Sequence, residues 1–564
     1  VASASRRPCA RSRSSVTAAP GSAPAQATAG LDPAQRLVAE AQRAPEPLAR
    51  WLKSLNQSST AVRLGGAVSS LAAASGQQLK PFCQNLEARF PFNRSSLAPD
   101  MPIGDFGRLF GPNGAMDQFF SQNLRDLVDK YMLGPSTRCI VEAAADKSRR
   151  IPFIRLLAEG NLVQLGYGAR QRRIWTAETD RTPAIAESIS REKDLTKSLL
   201  ASCGVPVPEG RIVDGVEDAI EAAEDIGFPV VIKPSDGNHA RGVFTNVRSA
   251  DEIRELYPLT DAEGSEVIVE RFIRGAEHRL LVVGGKMVAA NKGDMVSVIG
   301  DGEHCIDELI ETQINSDPRR GVEHEFPLYL IKLDDYPAAQ MEVARQGFTG
   351  ASVPAAGQEV MIVRTSNMAF DVTDEVHPDT AELACLAARI VGLDIAGVDL
   401  VCEDISKPLA VQQGAIVEVN AGPGLLMHIK PAVGQPRPVG EAIVDHLFAK
   451  DEDSRIPVVG VTGSRGKTPV ARLIAHLLRI SGQYTGLACS EGVFLDGRQV
   501  ETPEGTNWDA AERVLMNRSV EAAVFENSCR SILADGTVYD RCLVGVVTNV
   551  DPELDRKSTR LNSS

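Results

Sequence analysis

The chain lacks the features that would assign it to a membrane, a disulfide scaffold or a nucleic acid. No apolar run in its 564 residues approaches the roughly 18–20 residues a membrane span needs. Its ten cysteines, scattered from Cys9 to Cys542, form no C-x-x-C pair and no Cys/His cluster. That excludes a zinc site or a disulfide framework and points to free thiols in a reducing cytoplasm. Positive charge is in short supply: 60 Lys and Arg against 74 Asp and Glu leave a net charge of −14. A surface of that sign does not hold nucleic acid non-specifically, so neither nucleic acid nor membrane is expected as a partner. Anions must be handled by local devices: lysines, arginines, glycine loops and metal ions.

The two ends lack the pattern of folded sequence. Residues 1–31 are rich in Ala, Ser, Pro and Arg, carry no acid before Asp32, and are expected to be a disordered or non-native extension. No Met precedes Met101. At the other end, residues 556–564 have no apolar periodicity and are expected to be a non-native tail. Between these, 43% hydrophobic and 24% charged residues suit several globular α/β and α+β domains.

Residues 32–185 are expected to form an N-terminal α/β domain. Helices are expected at Pro33–Leu55 and Asn123–Tyr131, a short strand or helix start at Cys139, and strand and turn through residues 159–168. Residues 187–203 read as one helix with Ile189, Leu195, Leu199 and Leu200 on one side and Lys193 and Lys197 elsewhere. Asp214-x-x-Glu217 resembles a capping box that opens a helix closed by Gly227. Pro229–Pro234 is a buried-type strand, and Ala381–Val391 an amphipathic helix.

Chemistry concentrates in two places. In the first, Lys233 ends a buried strand and meets the glycine-containing run Ser235–Val243, whose Gly237 and Gly242 let backbone N–H groups wrap phosphate oxygens. Val267-Ile-Val-Glu270 is another strand ending in an acid, with Glu277 seven residues on. Glu418-Val-Asn420 puts a carboxylate and an amide on one strand face, and Asp399 ends an adjacent strand. Two carboxylates and an amide oxygen suit Mg²⁺, which prefers oxygen ligands and leaves other positions to water and phosphates. In the second place, Gly460-Val-Thr-Gly-Ser-Arg-Gly-Lys-Thr468 lies between a strand, Ile456–Val461, and a helix. Val470, Leu473, Ile474, Leu477 and Leu478 are expected on one face of that helix, with Pro469 in its first turn and Gly482 at its close. The strict phosphate-loop pattern wants Gly at 461, where Val stands.

The first constellation resembles the ATP-grasp family, which forms an acyl phosphate on a carboxylate for an amine to displace. The resemblance implies that Lys193 and Lys233 contact ATP phosphates, that Glu270 lies on the adenine side and Glu277 at the ribose, and that Asp399, Glu418 and Asn420 hold Mg²⁺. The second resembles the Mur ligase loop, implying that Gly463, Gly466, Lys467 and Thr468 bind ATP and that Thr468 and Glu526, at the end of Ala523–Glu526, serve a metal. Together, over about residues 135–550, the chain resembles the cyanophycin synthetase family. The runs Gln164–Ile174, Lys233–Val243, Glu277–Val283, Asp371–Pro378 and Glu418–Gly424 carry that likeness.

What the resemblance implies is an ATP-grasp ligase domain at 186–450 and the N-terminal part of a Mur-ligase-like P-loop domain at 455–555. The first adds L-aspartate to the C-terminal carboxylate of a polyaspartate or cyanophycin primer. The second would attach L-arginine and is incomplete in this chain. His239 and Arg279 are placed near the acceptor carboxylate as catalytic residues, and a homo-oligomer is implied. Two departures stand out: a short Arg364–Asp371 stretch, and Ser528-Cys-Arg-Ser531 where the family has Ala-Arg-Gly-Gly. Three other readings remain open: a ligase joining β-aspartyl-arginine units, a D-alanine- or glutathione-type ATP-grasp ligase, and a non-catalytic ATP-binding scaffold.

Overall fold

The computed structural model describes residues 133–551 apart from 158–159, 236–241, 264–265, 294, 322–325, 364–368 and 503–504. The expected helices at 33–55 and 123–131, both terminal segments, Gly237, His239 and most of the 364–371 stretch lie outside the described residues.

A helix, α1 (Pro135–Ala145), is followed by a small antiparallel sheet, β1 (Phe153–Arg155), β2 (Leu162–Leu165), β3 (Arg172–Trp175) and β4 (Glu178–Thr179). Cys139 therefore lies inside a helix; Pro135 opens it at a position where its missing N–H costs nothing. The single helix expected over 187–203 is two: α2 (Ala184–Arg191) and α3 (Lys193–Ser202). Glu192 between them is extended, and the Ile189 carbonyl is taken by Glu192 N and, at 2.6 Å, by Thr196 Oγ1. A hydroxyl that captures a carbonyl in this way competes with the helical ladder. The break leaves Leu195 exposed and Leu200 buried.

A four-stranded antiparallel sheet follows, in the order β5 (Gly210–Val213), β8 (Val267–Arg271), β6 (Val230–Pro234), β7 (Phe244–Val247). Helices α4 (Val216–Ile226) and α5 (Ala250–Asp261) cover it with Ala219, Ala223, Ile253 and Leu256. The N-cap of α4 is Gly215; no side chain caps it, and Asp218 accepts from Asp214 N instead of a capping box forming through Glu217.

The central sheet has five antiparallel strands in the order β15 (Phe370–Asp371), β10 (Lys286–Lys292), β9 (Ala276–Val283), β16 (Ile395–Cys402), β17 (Ala415–Ala421). A subdomain inserts between β10 and β15, with β11 (Val296–Ile299) paired to β14 (Glu359–Val363), the short pair β12 (Arg320–Gly321) and β13 (Leu328–Tyr329), and helices α6 (Ile306–Leu309) and α7 (Pro337–Arg345) around its own core. Alternation along the central strands sorts side chains to two faces. Leu280, Val282, Val398, Leu400 and Val419 pack on α8 (Pro378–Val391). The opposite face, with Leu281, Val283 and Ile395, packs on α1, on α10 (Val439–Leu447) and on Val163, Leu165 and Ile174 of the small sheet; a short helix, α9 (Leu426–Ile429), precedes α10.

The last sheet has the order β21 (Arg498–Glu501), β20 (Gly492–Leu495), β19 (Thr485–Cys489), β22 (Ala522–Glu526), β18 (Val458–Thr462), β23 (Val544–Val547). Strands β19, β22, β18 and β23 are parallel, joined by α11 (Lys467–Ile480) and α12 (Trp508–Met516). On α11, Val470, Ile474 and Leu478 pack on the sheet as expected, but Leu473 and Leu477 are 57% and 51% exposed. The apolar stripe is broader than the surface that covers it, because residues spaced by four share one line and 473 and 477 lie on the next. The small sheet is wedged against this module. Gln164 and Gln171 donate to the carbonyls of Leu515 and Met516, and Gly168, at φ +56, lies so near Val520 O that a Cβ there would approach it to 2.3 Å.

Candidate functional site

One polar residue from each strand of the central sheet falls in a single cross-strand row. Asp371 pairs with Asn291, Asn291 with Arg279, Arg279 with Asp399, and Asp399 with Glu418. Directly opposed side chains on such a ladder lie roughly 5 Å apart at Cβ, so the register itself assembles the site. Arg279 donates through Nε and Nη2 to the two oxygens of Asp399, at 2.6 and 2.5 Å. Asn420 Nδ2 reaches the same carboxylate at 3.1 Å. Burial pushes the Asp399 carboxyl up and the arginine pulls it back, while the carboxylate holds Arg279 firmly protonated. Glu277, two residues before Arg279 on the same face, is pushed up to about 7 by burial and by Asp399.

The second half of the site lies on β6, β8 and α3. Lys233, the fourth residue of buried β6, approaches Glu270 at 2.6 Å, and Lys197 pairs with the other oxygen of that carboxylate. All three are almost fully buried. Burial raises Glu270 but the lysines outweigh it and hold it below the usual range; burial lowers Lys197 to about 8. One carboxylate between two ammonium groups leaves a surplus of positive charge in a desolvated place, which an anion would compensate. Lys193, one turn before Lys197, comes within 3.8 Å of Glu418. Ser190, Lys193, Thr196, Lys197 and Glu418 line a small cleft there, so the lysines and the carboxylate row border one space. Gly242, at φ +65, closes the loop after Lys233 and its carbonyl accepts from Thr260 at 3.1 Å.

The structure puts Asp399 opposite Glu418 on the paired strands β16 and β17, with Asn420 two residues on, Glu277 on β9, and Lys233 against Glu270 on β6 and β8. Lys197 was given no role, although its spacing of four from Lys193 puts both on one helix face. Asn291 was missed, since only the register reveals it. Oxygens available to a hard divalent cation are those of Asp399, Glu418 and, after rotation of its amide, Asn420. Among the described residues no group of three or more His, Cys, Asp or Glu could hold a metal. A set of two carboxylates and an amide fits an ion that keeps water and phosphate ligands.

The loop between β18 and α11 forms a separate site. Gly463 and Gly466 adopt φ +135 and +78, and a Cβ on Gly463 would come within 2.3 Å of Thr548 Oγ1. Ser464 N and Arg465 N bind Asn549, tying the loop to the end of β23. Lys467 Nζ donates to Gly463 O at 2.9 Å. Thr468 and Glu526 are joined through a residue the sequence reading missed: Ser490 lies 2.8 Å from Thr468 Oγ1 and donates N–H and O–H to the buried Glu526 at 3.0 and 3.2 Å. Ser528 caps α13 (Cys529–Asp535), its Oγ accepting from Ser531 N at 3.0 Å.

Residues 192–316 match the family model of the carbamoyl-phosphate synthase L chain, ATP binding domain, and residues 461–558 that of the Mur ligase middle domain. With the sheets described, these define a chain of two successive modules, an ATP-grasp-type ATP-binding domain followed by a Mur ligase middle-domain fold. Among its relatives are cyanophycin synthetases. It is 40% identical over 472 residues to that of Trichormus variabilis, covering 83% of this chain and 51% of that one. It is 40% identical over 437 residues to that of Synechocystis sp., covering 76% and 49%. The chain thus spans about half the length of the curated relatives it matches. A bifunctional glutathione synthetase from Pasteurella multocida is 26% identical, overlapping 61% of this chain and 49% of that one with a TM-score of 0.41. No helix among the described residues is long and apolar enough to cross a membrane.

Proposed function

We propose that residues 186–450 activate the C-terminal carboxylate of a polyaspartate or cyanophycin primer with ATP and join it to L-aspartate. The observation that carries this reading is the facing of two charges: the surplus cation of Lys197, Lys233 and Glu270 on one side of the cleft, and the Asp399–Glu418 carboxylate pair on the other, with Lys193 beside Glu418. Phosphoryl transfer needs positioning and charge compensation on both sides of the phosphates more than it needs a protein nucleophile. Lys193, Lys197, Lys233 and the loop of Gly237 and Gly242 bind the phosphates, and Glu270 holds the lysines. Glu277 serves the nucleotide sugar. Asp399, Glu418 and Asn420 hold Mg²⁺, which when bound neutralises phosphate charge. His239 and Arg279 orient the acceptor carboxylate. A carboxylate oxygen attacks the γ-phosphorus and ADP leaves with the bridging oxygen. The aspartate amine then attacks the acyl carbon, loses a proton, and inorganic phosphate departs.

The second module supplies a second ATP site on Gly463, Gly466, Lys467 and Thr468, with Thr468 and Glu526 toward Mg²⁺ and L-arginine as the amine. The whole enzyme is read as a cytoplasmic homo-oligomer. A second reading, in which the chain joins β-aspartyl-arginine units, is favoured by one observation: Ser528 and Ser531 spend hydrogen bonds on each other in a helix cap. The test is a primer whose C-terminal carboxylate carries ¹⁸O. The proposed chemistry delivers one labelled oxygen to phosphate per aspartate added; unlabelled phosphate would refute it, and label transfer only with the dipeptide would select the second reading.

A further inference from the structure

We infer that Asn291 and His428 are positioning residues that set Arg279 from behind, so that its free nitrogen meets the terminal carboxylate of the acceptor chain. The inference rests on the ligase reading above and adds residues to it. Arg279 spends Nε and Nη2 on Asp399, and Nη1 makes no hydrogen bond among the described residues. Its side chain is 23% exposed, whereas Asn291 and His428 are 0% exposed. A ligand therefore reaches Arg279 and finds the other two behind it.

Asn291 stands directly across the strand from Arg279. Its Nδ2 is fixed on Met427 O at 2.9 Å, which fixes where Oδ1 points, and that oxygen is buried without a partner among the described residues. His428 is the next residue after Met427, and both its ring nitrogens are buried without partners among the described residues. Arg279 and Asp371 both act electrostatically on the ring, and burial with the Arg279 charge keeps it neutral. Asp371 is not available to either residue's needs, since Arg437 and Thr373 occupy it, at 2.6 Å each. Buried polar atoms are nearly always paired, so three unpaired ones, on the residue across the strand from Arg279 and on a ring that feels its charge, call for a function. A neutral wall suits this one. It restrains the guanidinium without competing for its charge, as a second carboxylate would, and leaves Nη1 for an anion.

The test measures binding of tetra-aspartate, with a free or an amidated C-terminus, to the full chain by calorimetry, alongside ADP. The wild type should prefer the free acid by about tenfold, the value of a hydrogen bond to a charged group. Asn291→Leu and His428→Leu should each lose most of that preference, while affinity for the amidated peptide and for ADP moves less than about twofold. His428→Gln, which keeps a neutral hydrogen-bonding side chain, should restore the preference to within about threefold and guards against a variant that merely misfolds. Unchanged preference in both leucine variants overturns the inference, as does a parallel loss of ADP binding that glutamine does not rescue. A wild type that does not distinguish acid from amide overturns the ligase reading itself.

Discussion

The two nucleotide sites of this chain are built on opposite plans. The first is assembled from six charged side chains and one amide on seven separate elements, most of them buried: Lys197 from α3, Lys233 from β6, Glu270 from β8, Arg279 from β9, Asn291 from β10, Asp399 from β16 and Glu418 from β17. The second is a single loop between one strand and one helix, braced by hydroxyls and a backbone tie to Asn549. The first must hold ionised groups out of water before any ligand arrives, a state that is costly when one partner is missing. The second keeps most of its polar groups half-buried and pairs its one buried carboxylate, Glu526, with neutral donors, so it risks less.

That contrast can be broken from the strongest effect downward. Glu270→Gln leaves two buried lysines facing each other and should cost about 3–5 kcal/mol in denaturant unfolding, whereas Glu526→Gln, which loses only neutral donors, should cost about 1 kcal/mol. Equal losses would show that the first site is not held by charge. Lys233→Met should lower phosphate release at the first site by about 10²–10³-fold and leave nucleotide affinity at the loop unchanged by equilibrium dialysis. Acid should separate the two regions as well. His278, buried on β9 with Nδ1 2.9 Å from Ala276 O, is held down to about 4 by burial. As pH falls below the ordinary value near 6.5, the unfolded chain takes the proton first, so stability is lost between about 6.5 and about 4 and then levels. The loss should approach 3 kcal/mol, and His278→Gln should remove it in an acid titration followed by unfolding. The smallest effect belongs to the loop: Ser490→Ala removes the link between Thr468 and Glu526 and should weaken Mg-nucleotide binding by about three- to tenfold.

The same contrast explains what could be read from the residues alone. The loop at 460–468 was legible because its function is local: strand, glycines, lysine and helix follow one another in the chain. Glu418 and Asn420 were legible for the same reason, since a spacing of two fixes a common face on any strand. Asn291 was not, because its partner Arg279 is set by a hairpin register with a shift between Met287 and Ala289. Lys197 was seen but assigned no task; the break at Glu192, which starts α3 at Lys193, depends on a Thr196 side-chain bond that no periodicity announces. Leu473 and Leu477 were put on one face with Val470, Ile474 and Leu478 because apolar spacing reports a stripe, not the width of what covers it.

The central claim is that the first site works as a ligase on its own charges. The most direct measurement is phosphate release by the Lys467→Ala chain with ATP, Mg²⁺, L-aspartate and an aspartyl-arginine primer. Release should require both aspartate and primer and match the unmutated chain within about twofold. Loss of release in Lys467→Ala, or release indifferent to aspartate, would contradict it.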